Sequence, residues 1–175
     1  MFTILAGIVL IAIFAILTLA SLKPDVFMVT RSTRMNAAAD TIYPHINDLR
    51  RWQAWSPYEK KDPNMQRTFS GPTSGKGAAY AWDGNKNVGA GSMVIIEALP
   101  PSKIGIRLDF LRPFAAQNAA QFLLEPEGSG TRVTWEMSGA ATLVSKIMGT
   151  VMNMDKMIGT DFEVGLENLK KTVEG

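Results

Sequence analysis

Between Met65 and Met137 the chain is built from short apolar runs separated by Gly, Pro, Asn and Ser, and no other feature restricts its fold so strongly. Side chains on a strand alternate between two faces. Ile104, Ile106, Leu108 and Phe110 alternate with Gly105, Arg107 and Asp109, so one face of this segment is buried and the other wetted. The runs Met65–Phe69, Ala78–Trp82, Gly91–Ala98, Lys103–Phe110, Ala119–Leu124 and Arg132–Met137 read as about six strands of an antiparallel meander. Ser70–Gly75, Asp83–Asn87, Pro100–Pro101 and Glu127–Gly130 supply the turns. Val26–Ser32, rich in β-branched and aromatic residues, adds a strand ahead of them and brings the sheet to about seven.

Helical spacing flanks this meander on both sides. Ile42, Ile46 and Leu49 lead to Trp52, with Asn36 or Asp40 as the candidate cap and the Trp52–Pro57 turn as the end. After the last strand, Leu143, Ile147, Val151, Met154, Ile158, Phe162, Leu166, Leu169 and Val173 recur in steps of three or four, which predicts one long amphipathic helix over Thr142–Val173. Gly149, Gly159 and Gly165 each cost such a helix roughly 1 kcal/mol relative to Ala, so a bend or a close approach to the sheet is expected at one of them.

The N-terminus has a different character. Phe2–Leu22 holds no charge and no Pro, and at 1.5 Å per residue it covers about 30 Å, the thickness of a bilayer's hydrocarbon. Lys23 and Pro24 end it. The expected organisation is a transmembrane anchor over 1–23 and one domain over 24–175. A cleaved signal peptide is the competing reading, with small residues near Ala20 and Ser21, but the segment lacks a basic start and exceeds the usual apolar length. Positive charge first follows the run, at Lys23, Arg31 and Arg34, which favours a single-pass protein with its domain in the cytoplasm over a periplasmic or other extracytoplasmic one.

Composition narrows the chemistry. Among 175 residues there is no Cys and a single His, which removes disulfides, thiolate metal sites, thiol nucleophiles and multi-histidine centres. Charged residues are 19% of the chain at a net charge of +2, with Lys and Arg scattered among acids, so nothing marks a nucleic-acid surface.

A strand, short helices, an antiparallel meander and a long C-terminal helix form the order of the helix-grip fold, an α+β architecture with a curved sheet wrapped on that helix. Ile46-Asn47-Asp48-Leu49, Trp52, Trp55-Ser56-Pro57, Lys60 and Asp62-Pro63 resemble the polyketide cyclase/dehydrase and lipid transport group of the START-like (SRPBCC) superfamily. So do Ser70-Gly71, Gly77-Ala78, Tyr80-Ala81-Trp82 and, near the end, Asp161-Phe162-Glu163 and Gly165-Leu166. The resemblance runs from about Asp25 to the C-terminus and implies a ligand held between the concave sheet face and the long helix. It does not choose among the carriers, receptors, cyclases and chaperone cofactors built on this fold.

The candidate wall of such a cavity is Trp52, Trp55, Tyr80, Trp82, Phe110, Phe122 and Trp135, joined by the flexible thioethers of Met148 and Met152; each is equally suited to fill a core. No catalytic residue, metal ligand or cofactor site stands out. His45 lacks a triad around it, and Glu97, Asp109 and Glu136 fall on the wetted phase of their strands. The expected function is membrane-tethered binding of a lipid or other small hydrophobic molecule, with a protein partner unspecified. A cyclase-like enzyme using the same cavity and a protein-interaction domain with a collapsed cavity are the alternatives.

Overall fold

The structure, a computed structural model, describes residues 2–151 and 153–175 with their side chains, those at positions 2–4, 9, 12, 144, 148 and 151 excepted. Seven strands form one antiparallel sheet: β1 (Val26–Met35), β2 (Gln66–Ser70), β3 (Ala79–Asp83), β4 (Ala90–Leu99), β5 (Lys103–Arg112), β6 (Ala116–Glu127) and β7 (Gly130–Ala140). Their order is β1-β7-β6-β5-β4-β3-β2, so β2 to β7 make the expected meander while β1 closes against β7. Each strand covers its sequence-predicted run to within a few residues, because period-two burial and turn chemistry are local signals.

Between β1 and β2 lie α2 (Ala39–Asn47), a 3-10 turn at Leu49–Arg51, α3 (Trp52–Trp55) and α4 (Pro57–Lys61). Neither Asn36 nor Asp40 caps α2. Ala38 takes the cap position without a side-chain bond, and the Asn36 amide donates to Glu174 instead. Asp48 does cap the 3-10 turn, accepting from the Arg50 amide at 3.0 Å.

The C-terminal segment corrects the expectation of one continuous helix. It forms α5 (Leu143–Val151) and α6 (Met154–Glu174). Asn153 is extended (φ −79°, ψ 91°), and its side chain accepts from the Lys156 amide at 2.9 Å, so a new helix starts there. The break does not fall at a glycine, and Gly159 instead gives the close approach to the sheet. An added Cβ at Gly159 would stand 2.0 Å from the Arg31 guanidinium, which occupies that gap to bond Glu163 at 2.7 Å and Asp155 at 2.9 Å. This double ion pair clamps α6 to β1. Farther along, Phe162, Leu166 and Leu169 enter the concave face, where Phe162 stacks on Trp135 at 4.0 Å between ring centres.

The N-terminal run forms α1 (Phe2–Ser21), which packs along α5 and is joined to it by Lys23 donating to the Gly149 carbonyl. A Lys146–Asp25 pair at 2.6 Å ties the same corner. Among the described residues no helix is long and apolar enough to cross a membrane. Positions 2–4, 9 and 12 of α1 lie outside the described side chains, and the described ones include Leu5, Ile8, Leu10, Ile11 and Phe14, each at least 59% exposed.

Candidate binding site on the concave face

The register sets the inner surface of the sheet in rows. One row takes a single inward residue from every strand: Phe69, Tyr80, Met93, Leu108, Asn118, Gly139 and Phe27. The next row toward the α1 end contains Trp82, Gly91, Phe110 and Ala116. In the other direction come Ile95, Ile106, Ala120, Met137 and Val29, and then Phe122, Trp135 and Arg31.

These rows divide the predicted wall into two groups. Trp52, Trp55, Phe122 and Trp135 are no more than 5% exposed and pack on one another, with ring centres 4.8 Å apart for Trp52–Trp55 and 4.9 Å for Phe122–Trp135. Both indole N–H groups of α3 are satisfied by carbonyls of α2, Trp52 by Ile46 and Trp55 by His45, each at 3.0 Å. This group is the closed half of the interior. Tyr80, Trp82 and Phe110 stand in the half nearer α1, where Trp82 meets Phe110 edge-on at 5.8 Å. There Trp82, Phe110, Leu108, Phe27 and Ile158 are only partly buried. Met152 lies outside the described residues, as does the side chain of Met148.

Among the polar groups of this face, besides Arg31, two stand near its open half. Glu59 of α4 is buried, and its carboxylate accepts from the Tyr80 hydroxyl and from Arg67 Nε, both at 2.7 Å. Burial, reinforced by the Glu59 carboxylate, pushes the Tyr80 phenol well above the usual tyrosine range, so it stays a neutral donor. The second is Asn118, 9% exposed, in the seven-strand row between Leu108 and Gly139. Its amide lies over β7, with Nδ2 at 4.0 Å from the Met137 sulfur and Oδ1 over Gly139, where an added Cβ would be 2.1 Å away. Gly139 is what leaves space for the amide.

Sequence reasoning missed Asn118, Glu59 and Arg67. Asn118 had a signal, since the alternation Leu124, Phe122, Ala120 carried two residues back puts it on the buried phase of β6. Glu59 had none, because its partners arrive from β2 and β3. Glu97, Asp109 and Glu136 stand on the outer face as the alternation predicts, paired with Lys103, Arg107 and Gln121. An open hollow of about 370 Å³ among the described residues also belongs to the outer face, lined in part by Ile96, Arg107, Gln117 and Ser138.

The family described as polyketide cyclase/dehydrase and lipid transport matches residues 27–174. Solved structures share the fold. Protein CV1439 from Chromobacterium violaceum is 13% identical with a TM-score of 0.60, over 87% of this chain and 99% of that one. The Aha1 dimer from Colwellia psychrerythraea is 16% identical with a TM-score of 0.60, over 85% and 96%. The di-domain ARO/CYC BexL from the BE-7585A biosynthetic pathway is 16% identical with a TM-score of 0.61, and 90% of this chain covers 53% of it. No curated protein matches the chain. At these identities the structural likenesses establish the helix-grip fold alone.

Proposed function

Because the chain belongs to the polyketide cyclase/dehydrase and lipid transport family, we propose that it binds a lipid or other small hydrophobic molecule on the α1-proximal half of its concave face, and that α1 tethers this half to a bilayer. The observation that carries the reading is the contrast within one sheet. Phe122 on β6 and Trp135 on β7 are sealed by α3 and α6, while Phe27 on β1, Trp82 on β3 and Leu108 and Phe110 on β5 keep accessible surface in the rows nearer α1. Apolar side chains left partly open inside a fold are the usual lining of a ligand site. The tether is supported by the uncharged Phe2–Leu22 run and by the exposure of its leucines and isoleucines, which calls for an apolar surrounding. Basic residues after it support a cytoplasmic domain.

Turnover is not part of the proposal. The cyclase-like alternative has Glu59 and Tyr80 as its best acid and base, and these two already bond each other, with Arg67 on the second carboxylate oxygen. The binding reading is tested by native mass spectrometry of the full chain released from its membrane in mild detergent, before and after organic extraction. A discrete mass that co-purifies and is removed by extraction is expected. A chain that is folded and empty in both samples would overturn it.

A further inference from the structure

We infer that Asn118 is the polar recognition point of this site, and that the ligand is an apolar molecule carrying one carbonyl or hydroxyl oxygen, which accepts a hydrogen bond from Asn118 Nδ2. This rests on the binding reading above and adds the chemical class of the ligand. A side-chain amide offers two N–H donors and a carbonyl acceptor. Asn118 is more than nine-tenths buried, yet its only polar contact among the described residues is the Met137 thioether at 4.0 Å, a weak acceptor at the outer limit of bonding. No donor reaches Oδ1 among the described residues. An N–H donor on a largely buried side chain whose one acceptor is a thioether is poorly matched, and a ligand oxygen supplies the acceptor that the protein does not.

Position adds a second argument. The amide stands in a row between Leu108 on one side and Gly139 on the other, with Phe27 next beyond Gly139, and Leu108 and Phe27 are apolar and partly open. Tyr80, the other polar group in that row, is committed to Glu59. A molecule lying on Leu108, Phe110 and Phe27 therefore finds one uncommitted hydrogen-bonding group, and Gly139 keeps the space over β7 in which that amide lies. A polar group that a site must pair discriminates strongly against ligands that leave it unpaired.

The test uses the full chain in lipid nanodiscs and two probes of nearly equal shape, 2-acetylnaphthalene and 2-ethylnaphthalene, titrated against tryptophan fluorescence. Trp82, one row from Asn118, reports on the site. The native chain is expected to prefer the ketone by roughly tenfold, the worth of one ordinary hydrogen bond, and Asn118→Leu is expected to erase the preference while its melting temperature holds or rises. Equal affinity of the native chain for both probes, or a preference that survives in Asn118→Leu, sinks the inference and leaves the binding reading standing. If neither probe binds the folded native chain, the binding reading fails along with it. Should Asn118→Leu not fold, the side-chain ¹⁵N signal of Asn118 in the native chain decides: it must shift with the ketone and stay in place with the hydrocarbon.

Discussion

His45 is partly buried at the end of α2, where burial and the nearby Arg51 charge hold its imidazole below the ordinary histidine range. A group whose pKa is depressed by folding binds its proton more readily in the unfolded chain. Its contribution is therefore complete above the unfolded value of 6.5 and is lost as the pH falls below that. It is the chain's one histidine, so thermal melts between about pH 7 and about pH 5 isolate it. The native midpoint is expected to drop across this window and that of His45→Gln to stay level; parallel slopes would assign the effect elsewhere. At this scale the sequence was informative where a residue's role is local. The outward phase of Asp109 was legible, whereas Glu59, Tyr80 and Arg67 come together only through the pairing of β2 with β3 and the seating of α4.

Helices were harder to read than strands, for a physical reason. The strands declare themselves through a two-residue period and through turn residues, both read over a few positions. The split between α5 and α6 is invisible in the apolar pattern, because Val151 and Met154 continue the three-and-four spacing across it. The deciding residue is Asn153, whose side chain satisfies an amide that an unbroken helix would have bonded internally. Removing that cap by Asn153→Ala is expected to cost about 1 kcal/mol, hence to lower the melting midpoint by roughly 2–4 °C, while Asn153→Asp keeps the cap and the midpoint. An unchanged midpoint in Asn153→Ala would mean that packing of α5 on α1, rather than the cap, holds the two helices apart.

Register shows that α1 and the open half of the sheet share one end of the molecule. β1 begins at Val26 opposite Ala140, the last residue of β7, and the β5–β6 hairpin closes at the same end. That end presents Leu111 and Phe114 at 67% and 60% exposure, with Val26 and Leu143 at 58% each. The β6–β7 hairpin at the far end is polar, with Glu125, Glu127 and Arg132 around exposed Ser129. If α1 crosses a bilayer, the apolar hairpin tip is carried to the lipid boundary and the ligand reaches Phe110 and Trp82 without entering bulk water. The absence of native cysteine makes this measurable, since a single introduced thiol takes the only spin label. In full-length protein reconstituted into vesicles of phosphatidylcholine and phosphatidylglycerol, a label at Phe114→Cys is expected to collide with dissolved oxygen and to be shielded from an aqueous nickel complex. A label at Ser129→Cys should show the opposite, and one at Leu10→Cys should be the most shielded. Should position 114 prove as water-exposed as position 129 while position 10 is shielded, the tether stands and the mouth faces away from the lipid. Water exposure at position 10 itself would remove the bilayer from the function altogether.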